Sequence, residues 1–173
     1  LPWRHIKPNN QANAYYVLVS EFMLQQTTVN TVIKRFNEFI KLWPSIDKLS
    51  RISENRILRF WSGLGYYNRA KNLLKTIKII SRDFKSKVPQ HYDQLIELPG
   101  VGDYTAKAIL GIAYNQPVLP LDANIKRIIA RLYGIKTSLL LNKKTIEDIA
   151  SKYQSSNKAS DLIQSFMDYG SVI

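Results

Sequence analysis

Cysteine is missing from all 173 residues, and histidine occurs only at His5 and His91. The first absence excludes disulfides, thiol nucleophiles and any cysteine-held zinc or iron–sulfur site within this stretch, and the second leaves a poor set of metal ligands. Long hydrophobic runs are absent too. Nothing approaches the roughly 20 apolar residues needed to cross a bilayer, and the opening LPWRHIKPNN lacks the charged-then-apolar layout of a secretory signal. The chain therefore reads as soluble and intracellular, with no membrane partner. Acidic residues are scarce: 13 Asp and Glu stand against 25 Lys and Arg, giving a formal charge of +12. Such an excess points to a polyanion, nucleic acid first, with a Lys- and Ile-rich genome composition as the bland alternative.

Apolar residues make up 45% of the chain, enough to build a core. Their spacing is helical, with residues three and four apart sharing a face in 16–43, 56–65, 69–84, 92–98, 103–114, 124–135, 144–154 and 159–170. Alternating strand patterns with hairpin dipeptides are lacking, so the fold class is all-α. Breaks are expected at Pro8-Asn9-Asn10, Trp43-Pro44, Gly63 to Gly65, Pro99-Gly100, Pro117 to Pro120 and Ser155 to Lys158. Neither an internal repeat nor a low-complexity tail interrupts this pattern.

The stretch LPGVGDYT (98–105) joins two of these helical segments. Gly100 and Gly102 allow backbone conformations that a side chain forbids, and a new helix starts at Asp103, which makes a helix-hairpin-helix. Glycines let the chain approach a phosphate closely, and the first-turn N–H groups of the new helix favour an anion. A lone GxG between helices is an ordinary turn. Here Val101 sits between the glycines and the small residues Thr105, Ala106 and Ala108 follow, which favours phosphate binding. Asp103 opposes an anion but helps start the helix. Lys107 falls on a different side of that helix and is not assigned a role.

Chemistry requires ionisable groups, and two stand out. Asp122 in VLPLDANIKRII opens a helix about twenty residues past the hairpin glycines, where a simple N-cap is the bland reading. Glu21 sits among Val17, Leu18, Phe22, Met23 and Leu24, surroundings that favour the protonated acid a general acid must hold.

LPWR (1–4), SEFMLQQT (20–27), WSGLGYYNRAKNL (61–73), LPGVGDYTAKAI (98–109), LDANIKRI (121–128) and MDYGSVI (167–173) resemble, in order, the blocks of the A/G-specific adenine DNA glycosylases, the MutY type. These belong to the helix-hairpin-helix endonuclease III superfamily. The hairpin and Asp122 alone would indicate only that wider group. The resemblance implies two helical lobes with DNA in the cleft between them. On it, residues 1–20 belong to the lobe shared with the chain end, 21–133 form the barrel lobe with the hairpin at about 92–114, and 134–173 return to the second lobe, which stops before the iron–sulfur region.

The same resemblance implies roles. Glu21 would protonate adenine N7 and then position the attacking water, while Asp122, kept ionised, would stabilise the sugar cation or trap it covalently. Asn124 would orient Asp122. Tyr104 stands where bifunctional relatives carry a Schiff-base lysine, so a monofunctional enzyme is expected. Trp3, Arg4 and Gln164 would line the adenine pocket. Gln26 and Tyr66 would enter the duplex, with Thr27 and Leu64 against the opposite guanine, and Gly100, Val101, Gly102 and Thr105 would hold the backbone. Arg69, Lys71 and Lys75 would face phosphates, with a solvated helix face the equal alternative for any one of them. The implied partner is duplex DNA with adenine opposite 8-oxoguanine or guanine, bound by a monomer.

No metal or cofactor is expected within this chain, although a full-length family member would carry a [4Fe–4S] cluster and a domain that reads 8-oxoguanine. The 5–19 segment is longer than the family's usual spacing. Two rivals are a thymine glycosylase acting on T:G mismatches and a DNA-binding module without turnover.

Overall fold

The computed structural model describes residues 1–4, 12–135, 143–153 and 158–172. His5 and the breaks expected at Pro8-Asn9-Asn10 and across 155–157 lie outside the described residues. The chain forms two compact units, Leu1–Gly102 and Asp103–Ile173. The sequence-based division at 20/21 and 133/134 differs from this, because the first residues pack with the helices that follow them: Trp3 is buried edge-on against Phe36, with ring centroids 5.3 Å apart.

In the first unit a 3-10 turn at Pro2–Arg4 precedes α1 (Ala14–Leu24), α2 (Val29–Leu42), α3 (Ile46–Ser50), α4 (Glu54–Trp61), α5 (Asn68–Asp83) and α6 (Tyr92–Ile96). Helix starts follow capping chemistry: Asn13 Oδ1 accepts from the Tyr15 N–H, Ser45 Oγ from Lys48 and Ser53 Oγ from Arg56. Val17 to Met23 of α1 are all buried, so this helix is a central rod rather than an amphipathic surface helix. Aromatic rings fill the space beside it. Phe39, Trp43 and Phe60 meet edge-to-face at 4.8–5.4 Å, and the Tyr15 hydroxyl donates to the Trp43 carbonyl at 2.7 Å.

The apolar run over 16–43 is two helices rather than one stretch. It breaks at 25–28 without glycine or proline, and Gln26 there takes φ 58°. The short α3 was also not anticipated, although Ser45 behind Pro44 is a usable start signal.

The second unit comprises α7 (Asp103–Tyr114), α8 (Ala123–Leu132), α9 (Lys143–Ser151) and α10 (Ala159–Val172). Its core is aliphatic and close-packed, with Ile109, Ile125, Ile128, Ile129 and Ile163 buried beside Ala106, Ala108 and Ala130. α10 lies against both α7 and α8. The crossing with α7 depends on Gly111, where a Cβ would collide with Ile163.

Among the described residues no helix is long and apolar enough to cross a membrane.

Candidate nucleic-acid interface

Within the first unit, the segment after α1 and the turn between α4 and α5 come together. Gln26 and Tyr66 are both exposed and both in the left-handed region, at φ 58° and 47°. Long or aromatic side chains rarely adopt this conformation, and each such residue costs roughly 1–2 kcal/mol. Gly63 and Gly65, also at positive φ, let the chain turn tightly enough to present Tyr66. Together Gln25, Gln26, Tyr66, Tyr67, Asn68 and Arg69 line a hollow of about 720 Å³. Tyr66 keeps 64% of its surface exposed and Tyr67 47%, so the hollow opens beside two uncovered aromatic rings. Such rings with neighbouring amides can stack on bases and bond their edges. Thr27 is half-buried, and its Oγ1 donates to the Leu64 carbonyl at 3.5 Å. Leu64 itself is buried, with its side chain in the core rather than on the surface.

Three cations expected on phosphates behave differently from one another. Arg69 is a correction: it is 93% buried by its 7% exposure, and its guanidinium lies beneath the hollow. Burial pushes its pKa down from the usual arginine value, partly opposed by Tyr66. Lys71 pairs with Glu54 at 3.2 Å, and Lys75 is exposed.

The turn at 98–102 also belongs to the first unit. Gly100 has φ 80°, and a Cβ there would stand 2.9 Å from both Asn72 Cβ and Phe22 Cε1. Both backbone and space therefore demand glycine. Gly102 does not fit the expectation made for it: its φ is outside the left-handed region, and a Cβ would meet nothing within 4 Å. The space beside it is open, as close approach of an outside group requires. Val101 is buried and donates its N–H to the Leu98 carbonyl at 3.0 Å, and Thr105 is buried too. The side chains of those two are therefore structural. The Thr76 hydroxyl donates to the Pro99 carbonyl at 2.9 Å and fixes the turn to α5.

Glu21 lies on α1 and is 6% exposed, the one buried acid among the described residues. Trp3 is buried and Arg4 half-buried in the same unit.

In the second unit Asp122 caps α8. Its Oδ1 accepts from the Ile125 N–H at 2.7 Å. Burial raises its pKa above the ordinary 3.8, while the amides of Ile125 and Asn124 and the charges of Arg127 and Lys126 pull the other way. Asn124 is half-buried, and its Oδ1 accepts from Arg127 Nη1 at 3.4 Å; the same nitrogen donates to the Gly170 carbonyl at 2.6 Å. A Cβ at Gly170 would stand 2.7 Å from the Asn124 carbonyl oxygen, so α10 is pressed against the first turn of α8. Gln164 Nε2 donates to the Ser160 hydroxyl at 3.0 Å and carbonyl at 3.2 Å. Tyr104 is half-buried near the start of α7, and Asp103 pairs with Lys107 at 2.8 Å.

Among the described residues no set of three His, Asp or Glu side chains could hold a metal ion. With no cysteine in the sequence, the residues present do not fit an iron–sulfur cluster.

A buried acid, a capping carboxylate and a glycine hairpin define a class that comparison identifies. Residues 19–155 match the HhH-GPD superfamily base excision DNA repair protein family, and the chain belongs to that family. More particularly, it is similar to the adenine DNA glycosylase of Buchnera aphidicola subsp. Baizongia pistaciae, with 44% identity over all of this chain and 48% of the relative. To the adenine DNA glycosylase of Mus musculus it is 34% identical, over all of this chain and 35% of the relative. This chain thus spans about half or less of these relatives' length. Among solved structures, a thermostable thymine-DNA glycosylase superposes with TM-score 0.85 at 26% identity, covering all of this chain and 78% of that one.

Proposed function

We propose that the chain is the catalytic region of a monofunctional adenine DNA glycosylase, which hydrolyses the N-glycosidic bond of adenine opposite 8-oxoguanine or guanine. The observation that carries this reading is the pair of acids. Glu21 is the buried one, and Asp122 is fixed by a 2.7 Å bond at the start of α8, a half-buried position.

In the proposed reaction the adenine is first flipped out of the stack, and Gln26 and Tyr66 enter the space it leaves. Glu21 donates a proton to N7, so the base departs neutral as the C1′–N9 bond breaks. The pair of electrons goes with the base, and the cationic sugar is stabilised by the Asp122 carboxylate. Glu21, now ionised, accepts a proton from water as the water attacks C1′, which restores the acid and leaves an abasic site. Tyr104 offers no amine for a Schiff base, so strand cleavage does not follow. The main-chain amides after Gly102 hold the backbone phosphate, helped by the open space at that glycine.

The identity of 44% with an adenine enzyme against 26% with a thymine one favours adenine as the substrate. Single-turnover assays on duplexes with A opposite 8-oxoguanine, A opposite guanine and T opposite guanine, each with and without alkali, test the reading. Alkali-dependent breakage at adenine is expected. Breakage at thymine would move the chain to the mismatch branch, and binding without breakage would leave a DNA-binding module.

A further inference from the structure

The strongest polar constellation outside the two acids surrounds Arg69. Its Nη1 donates to the carbonyls of Phe22 at 3.2 Å and Met23 at 2.8 Å, and also to that of Gln25. Its Nη2 donates to Thr27 Oγ1 at 3.0 Å and to the carbonyls of Leu64 at 2.8 Å and Gly65 at 3.1 Å. One end of the guanidinium thus gathers the last carbonyls of α1, while the other reaches Thr27 and the turn before α5. Two of the acceptors are orphan carbonyls of a helix C-terminus, where the macrodipole favours a cation. The guanidinium carbon also lies within cation–π reach of two rings, Trp61 at 5.7 Å and Tyr66 at 5.6 Å from their centroids.

Among the described residues Arg69 forms no ion pair. A buried cation without a carboxylate is a poor way to gain stability compared with an apolar side chain of similar length. What it supplies instead is geometry. Gln26 lies between two of its acceptors, Gln25 and Thr27, and Tyr66 directly follows a third, Gly65. Both flanked residues are in the left-handed conformation.

We propose that Arg69 is a positioning residue that locks the segment carrying Gln26 to the turn carrying Tyr66, so that the two side chains enter a duplex as one unit. The purpose assigned to the lock rests on the glycosylase reading above; the lock itself does not. A fork of donors is required, since the two terminal guanidinium nitrogens reach the two segments at once, whereas a lysine ammonium is a single point and cannot span both.

Amide hydrogen exchange on the full chain tests the lock in Arg69→Lys and Arg69→Met, read at Thr27 and Leu64, whose N–H groups donate to Leu24 and Trp61. Trp43 and Phe84, which close the ends of α2 and α5, serve as references. Both variants are expected to speed exchange at Thr27 and Leu64 together, at least tenfold, with the references unchanged within twofold. Loosening of one segment alone, of neither, or of all four amides would overturn the proposal; if Arg69→Met does not fold, Arg69→Lys alone decides it.

Cycles of Arg69→Lys with Tyr66→Ala and with the pair Gln26→Ala/Tyr66→Ala, read as the single-turnover rate of base release, then test the purpose. Arg69→Lys is expected to slow release at least tenfold; against Tyr66→Ala alone it should still slow release, through Gln26, but against the pair Gln26→Ala/Tyr66→Ala it should add no more than threefold, because Arg69 acts through those two side chains. Losses that multiply against the pair would mean that Arg69 supports only the fold. A wild-type chain that releases no base would sink the glycosylase reading while the exchange result still stands.

Discussion

The two units fix their key residues by opposite means. In the second, Asp122 and Asn124 are held by helix geometry: an N-cap bond at 2.7 Å, and a glycine on α10 that lets another backbone press against them. In the first, Gln26 and Tyr66 lie outside any helix, in strained left-handed backbone, and are held by a long side chain from α5. A carboxylate that must stabilise charge needs a fixed place and a tuned environment, which a helix end supplies. Residues proposed to enter a duplex need to protrude, and a protruding residue cannot be held by its own packing. The arginine beneath them substitutes for that packing.

The largest break in this comparison is Asp122→Asn. Asparagine caps a helix as well as aspartate does, so the geometry of α8 survives while the charge is lost. Base release is expected to fall by about 10²–10³-fold, with duplex binding intact, measured by single-turnover cleavage and a parallel binding titration. The stability effect has the other sign. Because burial raises the folded pKa of Asp122, the folded chain binds this proton more readily than the unfolded chain does. The stabilising contribution is complete below the unfolded value and is lost as pH rises through the raised one. Asp122→Asn should therefore melt no lower than wild type at neutral pH, with any advantage narrowing on acidification. The same shift places the acid limb of the wild-type rate profile above the ordinary 3.8.

This contrast also explains what the sequence disclosed. The hairpin at 98–105 and the cap at Asp122 are legible because glycine, proline and a capping acid are local signals that fix local backbone. The buried Glu21 is legible because its apolar neighbours adjoin it in the chain. The break at 25–28 is not, since no residue there favours left-handed backbone, and Arg69, the side chain that bonds this segment, stands more than forty residues away in the chain. Arg69 itself reads as one more cation in a basic helix, although Ala70, Leu73 and Ile77 mark a buried face and Arg69 lies beside it. A positive charge adjoining an apolar face was the available signal, whereas the family resemblance pointed to phosphate.

Glycine substitutions sharpen the comparison at intermediate size. Gly170→Ala would place a Cβ 2.7 Å from the Asn124 carbonyl, so α10 or the start of α8 must shift. A loss of about 1–3 kcal/mol is expected, seen in thermal melting, together with slower base release as Asp122 moves. Gly100→Ala should cost at least as much, because positive φ adds to its contacts with Asn72 and Phe22. Gly102→Ala isolates the other effect. With open space at its Cβ and a φ open to any residue, stability should hold or rise by up to about 1 kcal/mol, whereas duplex affinity should fall roughly tenfold, about 1.4 kcal/mol, where a phosphate would meet the new methyl group. Equal affinity for wild type and Gly102→Ala would remove the hairpin from the proposed interface.

A further small change in stability is expected at Gln26, in the first unit. Gln26→Gly relieves the left-handed strain of about 1–2 kcal/mol, but glycine also gains freedom in the unfolded chain, worth roughly 0.4–1 kcal/mol. The net should be a gain below about 1 kcal/mol in chemical denaturation, while base release slows because no side chain remains to enter the duplex. A residue whose removal steadies the fold and impairs the reaction is held in place for the reaction. A clear loss of stability in Gln26→Gly would mean instead that the glutamine side chain helps to hold the segment, and Arg69 would then share that task rather than carry it.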